Sequence, residues 1–147
     1  MKKRRRKRGG PVNRGQRPCM CHSKLPYEEC CKPFHKAQAV PETPEQLMRS
    51  RFSAYALALP EYVMDTTHPD GENWEEDAKE WRGSILSFSN KTDFAGLEVL
   101  EIEVDEDADL GWVTFSANLR QMGEDVPLNE RSLFERVDGR WLYVQAE

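Results

Sequence analysis

The 147 residues are about one domain's worth, and no run approaches the roughly 18 consecutive apolar residues of a membrane helix. The net charge of −5 hides a split: residues 1–18 hold nine of the 21 Lys and Arg and no acidic residue, so 12 basic groups face all 26 acidic ones in the rest. Gly9, Gly10 and Pro11 follow the basic start where a signal peptide needs an apolar stretch, which leads us to expect a cytoplasmic protein with reduced thiols.

Residues 1–18 combine like charges with Gly and Pro and are expected to be disordered when free. Lys2, Lys3, Arg4, Arg5, Arg6, Lys7 and Arg8 are consecutive. Such a run neutralises phosphates without reading sequence, so it predicts binding to a polyanion (ribosome, RNA or DNA). No aromatic side chain is interleaved for base stacking. An acidic membrane surface, and the chain's own acidic residues 98–109, are the competing electrostatic partners.

Residues 19–35 carry all four cysteines, as Cys19-x-Cys21, then Cys30-Cys31 after eight residues. The segment is too short to bury an apolar core. Four thiolates in two close pairs supply the tetrahedral soft-ligand set of a structural Zn²⁺, whose binding would stand in for the missing core. His22 and His35 are possible substitute ligands. Isolated thiols or a redox pair are the alternative, although a bridge between adjacent Cys30 and Cys31 would be strained.

Thr43 is placed as N-cap of a helix opening at Pro44, with Gln46 completing a capping box. Met48, Phe52, Tyr55 and Leu59 follow on one face. Pro60 opens a second short helix, which ends near His68-Pro69-Asp70-Gly71. Asn73 is expected to cap a third, with Trp74, Ala78, Trp81 and Ile85 on its face. Trp74, Trp81, Phe52 and Tyr55 read as core.

Beyond residue 99 the period changes to two. Leu100, Ile102 and Val104 alternate with Glu101, Glu103 and Asp105, predicting a half-buried strand with an acidic outer face. Val113, Phe115, Ala117 and Leu119 alternate again. A third run covers residues 128–137, and Asp138-Gly139 joins it to Trp141-Leu142-Tyr143-Val144 as a hairpin. Helices followed by an antiparallel meander give an α+β domain with helices on one sheet face.

Several stretches carry two family resemblances. Residues 19–31, Cys19-Met20-Cys21-His22-Ser23-Lys24-Leu25-Pro26-Tyr27-Glu28-Glu29-Cys30-Cys31, are similar to the SEC-C zinc motif found at the C-terminus of the translocase ATPase SecA. Lys32-Pro33-Phe34-His35, the block Leu47-Met48-Arg49-Ser50-Arg51-Phe52-Ser53-Ala54-Tyr55-Ala56, Thr67-His68-Pro69, Glu130-Arg131-Ser132-Leu133-Phe134 and residues 139–144 resemble the bacterial YchJ family. The resemblance spans residues 19–144 and leaves the basic arm outside it. It implies zinc at Cys19, Cys21, Cys30 and Cys31, and a nuclear transport factor 2-like cone of curved sheet and helices over residues 36–147. It implies no particular activity. The motif departs from the usual pattern at Met20, where Pro is common, and at His22 and Lys24, where Gly is common. Asn129 stands where the family usually has His.

A cone of this kind encloses a hollow, and Arg49, Arg51, Asp65, His68, Glu130 and Arg131 are the polar residues expected near it. Asp65 and His68 are three apart at a helix end, which suits a base and its orienting carboxylate. The competing reading has His68 capping that helix. Arg49 and Arg51 point about 200° apart and cannot share one pocket, so one is expected to pair with Glu130 or Glu135. The leading functional expectation is a non-catalytic docking protein that uses the zinc motif and the arm on a polyanion or protein partner. A small-ligand binder or pocket enzyme built on Asp65, His68 and Glu130 is the alternative.

Overall fold

The computed structural model describes Val12 and residues 15–147; the basic run at residues 2–8 lies outside the described residues. The order is a 3-10 turn at Tyr27–Glu29, helices α1 (Lys32–His35), α2 (Pro44–Ala56), α3 (Pro60–Asp65) and α4 (Ala78–Lys91), then strands β1 (Thr92–Asp105), β2 (Leu110–Gln121), β3 (Glu124–Asp125), β4 (Leu128–Val137) and β5 (Arg140–Ala146). The strands form one antiparallel sheet in the order β1-β2-β4-β5, with the two-residue β3 paired to β2. The helices cover one face of it, which is the α+β architecture expected.

α2 begins where the sequence places it. Thr43 Oγ1 accepts the Gln46 N–H at 3.1 Å. Gln46 reaches back one residue further than a capping box, and its Oε1 accepts from Glu42 N–H at 2.7 Å. The helix is buried on more than one stripe: Leu47, Met48, Ser50, Arg51, Phe52, Ser53 and Ala54 are all inside. The sheet lies on one side, the cysteine segment on another, and α3 and α4 on a third. That surrounding explains why a single apolar face does not describe it.

The third predicted helix starts later than expected. Asp77, not Asn73, caps α4, its Oδ1 accepting from Glu80 N–H at 3.0 Å. Trp74 stays in the preceding loop, 41% exposed, with its ring 5.1 Å from that of Trp81. It is a lid on the side of the core rather than a member of it.

β1 is also longer than its alternation suggests. It starts at Thr92, directly after α4, and carries irregularities between Phe94 and Gly96 and between Val99 and Glu101. Each bulge resets which residues face inward, so burial along β1 keeps no single period of two. Leu100, Ile102 and Val104 are not half-buried: they are 56, 45 and 43% exposed. At this end of the hairpin the β1 side chains are open to solvent, while the start of α2 lies against β2 at Gly111. The expected alternation does hold in β2, where Val113, Phe115, Ala117 and Leu119 are buried.

Asp138 and Gly139 take φ of 52° and 80°, the left-handed pair that a tight right-twisted hairpin requires. On the far side of β5, Thr66 and Thr67 run beside Tyr143: His68 N–H donates to Tyr143 O and Tyr143 N–H to Thr66 O. This segment covers what would be an open sheet edge. Gly111 marks the closest approach of sheet and helix. A Cβ there would lie 2.5 Å from Pro44 Cγ. We expect Gly111→Ala to push β2 away from the start of α2 and to cost about 1–3 kcal/mol, read as a lower urea midpoint; an unchanged midpoint would show that this approach is not tight.

Candidate functional site

The cysteine segment folds as a knuckle. Pro18 bridges to Pro26, Cys19 N–H donates to Leu25 O at 2.8 Å, and Cys30 N–H to Tyr27 O at 3.0 Å. These turns bring the four sulfurs to within 4.8 Å of one another. Cys21 and Cys30 Sγ are 3.6 Å apart, and Cys30 and Cys31 Sγ 3.9 Å. All four cysteines are free and buried, and a disulfide would need about 2.05 Å. A cation holding four thiolates tetrahedrally at about 2.3 Å places the sulfurs about 3.8 Å apart, which these spacings match. The four residues are therefore placed to hold a metal ion.

With protons in place of a cation, the thiols bond one another. Cys21 is driven far below the usual thiol range by hydrogen bonds from Cys19, Cys30 and Cys31. Cys31 and Cys30 are pushed far up, Cys19 first among the causes. Four sulfurs this close cannot all ionise unless a cation sits among them.

Neither histidine ligates. His22 Nε2 donates to Phe94 O at 2.9 Å. His35 Nε2 donates to Ser50 O at 2.8 Å, and its Nδ1 accepts from Tyr27 OH at 2.7 Å. Burial lowers the His35 pKa, so the neutral ring serves as donor and acceptor at once. Arg49 completes the joint, giving one N–H to Cys21 O at 3.0 Å and another to Glu45 at 2.9 Å. The knuckle is thus bolted to α2 and to the start of β1.

His22 and Lys24 occupy positions where the SEC-C pattern carries Gly, and both keep the left-handed backbone, with φ of 62° and 73°. That conformation costs a non-Gly residue about 1–2 kcal/mol. His22 offsets it through Phe94 O and an edge contact with the Phe52 ring at 5.9 Å, whereas Lys24 is exposed.

The second feature is a hollow of about 440 Å³ between α2, α4 and the concave sheet, within the size range of small-molecule sites. Arg51 and Glu130 both line it. Arg51 is buried, and its Nη1 donates to Val63 O, Thr66 Oγ1 and Thr67 Oγ1 at 3.0, 2.9 and 3.1 Å. Its guanidinium stacks 4.7 Å above the Tyr143 ring. Desolvation lowers its pKa. Glu130 Oε2 accepts from Ser132 Oγ at 2.5 Å and Tyr143 OH at 3.2 Å. Burial in turn raises the Tyr143 pKa, so its phenol stays a donor.

The other expected site residues are scattered. His68 Nε2 donates to Glu135 Oε1 at 2.7 Å, while its Nδ1 accepts the Asp70 N–H at 3.0 Å. Asp65 is exposed, and neither it nor His68 lines the hollow. The Asp65–His68 pair does not form, because the chain turns away at Thr66–Thr67 to run along β5. Arg131 lies on the outer face of the sheet, bonded to Glu147 at 2.6 Å and Glu103 at 3.3 Å. The expected pairing of Arg49 or Arg51 with Glu130 or Glu135 is replaced by Arg49–Glu45 and His68–Glu135. Phe52, Tyr55 and Trp81, read as core, form walls of the hollow. Sequence reasoning missed Ser132 and Tyr143 as partners of Glu130. Residues 130 and 132 are two apart on a strand and share a face, so Ser132 was within reach; Tyr143 depends on strand register.

Residues 43–146 match the family model for the middle, nuclear transport factor 2-like domain of YchJ. A UPF0225 protein of Serratia proteamaculans is 39% identical over 128 residues, covering 86% of this chain and 80% of that protein. One of Deinococcus radiodurans is 38% identical over 131 residues, covering 88% of each. A SEC-C motif containing protein from Rhodopseudomonas palustris, solved in solution, superimposes with a TM-score of 0.75 at 32% identity, over 89% of this chain and 98% of that one. Another from Psychrobacter arcticus gives 0.72 at 26% identity, over 88% and 80%. The chain belongs to the UPF0225, or YchJ, family.

Lys24→Gly should stabilise the metal-loaded protein by about 0.5–1 kcal/mol, the strain relieved less the entropy that glycine adds to the unfolded chain. His22→Gly should instead destabilise it, through loss of the Phe94 bond, worth about 1 kcal/mol, and of the Phe52 contact. Urea unfolding of both variants checks the pair; equal effects would remove the anchoring role given to His22.

Proposed function

We propose that this YchJ-family chain is a zinc-containing, non-catalytic docking protein of the reducing cytoplasm, which binds a polyanion such as the ribosome or free RNA through its knuckle and basic arm. Zinc is the metal that suits four buried thiolates with no open coordination position and no need for redox chemistry. Four thiols kept unbridged support that location. No described helix is long and apolar enough to cross a membrane.

The observation that carries the reading is a groove of about 500 Å³ on the knuckle where Arg17, Lys32 and Lys36 come together, with Glu28 its single acidic residue. Arg17 caps the Tyr27 ring at 5.1 Å. The groove also takes in Gly15 and Gln16, where the continuous described chain begins. The acidic excess belongs to the other domain, on the β1–β2 hairpin above all. A phosphate backbone is repelled by that domain and attracted by arm and knuckle, so it would approach the knuckle. The solved relatives from Rhodopseudomonas palustris and Psychrobacter arcticus are SEC-C motif containing proteins, which supports the knuckle as the shared feature.

Native mass spectrometry should find one zinc per chain, absent from Cys30→Ser/Cys31→Ser; a metal-free or iron-loaded wild type overturns the zinc assignment. Full-length protein should co-sediment with ribosomes, with log K falling against log salt at a slope of roughly −6. Removing residues 2–8, or introducing Lys32→Glu with Lys36→Glu, should weaken this by tenfold or more. Retention that is unchanged by both, or insensitive to salt, would refute polyanion docking in favour of a protein partner.

A further inference from the structure

We propose that the hollow of the cone binds a small zwitterion with an apolar body, of the apolar or aromatic amino-acid class, its carboxylate on Arg51 and its ammonium on Glu130. The site is separate from the knuckle and does not depend on polyanion docking.

Two charges in the hollow do not pair. Arg51 and Glu130 line the same cavity, and each touches Tyr143, Arg51 over the ring face and Glu130 at the hydroxyl. Yet among the described residues neither takes part in an ion pair. A buried guanidinium without an anion and a half-buried carboxylate without a cation are each costly. The protein partners they do have are neutral: a carbonyl and two threonine hydroxyls for Arg51, a serine and a tyrosine hydroxyl for Glu130. Those contacts fix both groups in place without neutralising them. For Arg51 all three run from Nη1, which leaves the rest of its fork for a ligand. For Glu130 both run to Oε2, which leaves Oε1.

A direct Arg51–Glu130 salt bridge would be the ordinary solution to this arrangement. Instead Arg51 lies over the Tyr143 ring face and Glu130 takes the Tyr143 hydroxyl, so one tyrosine engages both charges without pairing them. A molecule that carries an anion and a cation two bonds apart bridges such a gap and satisfies both charges at once, with charge-assisted bonds on each side. A simple carboxylic acid leaves Glu130 uncompensated, and a simple amine leaves Arg51 so.

The rest of the cavity sets the body of the ligand. Phe52, Tyr55, Trp81 and Phe88 form its walls, with Phe134 beneath. Rings of this density suit an aromatic or branched apolar group. Glu72 and Glu75 line the hollow and are exposed, so they stand at its mouth. They disfavour a ligand of net negative charge, which excludes nucleotides and phosphorylated metabolites. A zwitterion carries no net charge past them.

The test uses full-length, zinc-loaded protein and isothermal titration with L-phenylalanine, L-tryptophan and L-leucine, each up to millimolar concentration. 3-Phenylpropionate and phenethylamine serve as analogues lacking one charge. At least one of the three amino acids should bind, and L-phenylalanine should bind about tenfold or more tightly than either analogue, the difference expected for one charged contact. Glu130→Gln keeps an oxygen for Ser132 and Tyr143 but removes the charge. It should cut amino-acid affinity at least tenfold while leaving 3-phenylpropionate no weaker. Arg51 also ties α2 to the end of α3, so Arg51→Lys is read only with thermal unfolding alongside. No heat with any amino acid, or equal affinity for phenylalanine and phenethylamine, overturns the proposal, the latter in favour of a plain cation site.

Discussion

Four sulfurs within 4.8 Å of one another are the constraint from which the rest of the molecule is arranged. Residues 19–35 bury only Pro26, Tyr27 and Phe34 besides the cysteines themselves, too little for hydrophobic burial alone to define their shape. A metal ion can, because its coordination energy becomes folding energy. Once the knuckle is rigid, its surface groups become usable anchors. His22 reaches Phe94 O, Arg49 reaches Cys21 O, and His35 reaches Ser50 O. Each of these is a hydrogen bond to a backbone carbonyl, which ties position and not merely surface. The knuckle is a wall of the domain and not a bead on a string.

The same wall borders the hollow indirectly. Phe52 packs edge-on against both His22 and Phe94, at 5.9 and 5.4 Å, and Phe52 and Phe94 both line the cavity. Phe94 packs in turn against Phe88 of α4 at 5.8 Å. Packed rings have few alternative arrangements at core density, so the position of the knuckle and the shape of the hollow are set together. That coupling runs through contacts already in place and needs no moving part.

Much of this was legible in the sequence where the signal was local. The Thr43 cap, the Pro60 start, the β2 alternation and the Asp138–Gly139 turn are properties of a few adjacent residues, and all appear as expected. Cysteine spacing likewise named the four residues whose sulfurs come together. What failed were features decided at long range. The bulges in β1 arise from pairing with β2 and changed the facing of residues 92–104. Trp74 lacks a helix because Asp77 captures the first free N–H groups of α4 instead. Asp65 and His68 have helical spacing, but α3 ends at Asp65 and the next residues join the edge of β5. Arg51 and Glu130 were named as polar candidates, yet that they flank one tyrosine without pairing depends on the register that sets Tyr143 beside Phe134.

The block Leu47-Met48-Arg49-Ser50-Arg51-Phe52 shows why a short stretch can identify a family so specifically. A helix turns about 100° per residue, and α2 has a different neighbour at almost every angle. Arg49 faces the knuckle. Ser50 bonds the Tyr62 hydroxyl at 2.7 Å and, through its carbonyl, His35. Arg51 holds the end of α3 and looks into the hollow, and Phe52 meets β1 and the knuckle together. On an ordinary amphipathic helix half of these positions would face water and tolerate most polar residues. Here each side chain has a separate partner, so no substitution is absorbed by solvent. Arg49 and Arg51 are the clearest case: the turn between them sends one guanidinium to the cysteine segment and the other to the cavity. A single turn of helix thereby joins the two features of this chain that have chemistry to offer.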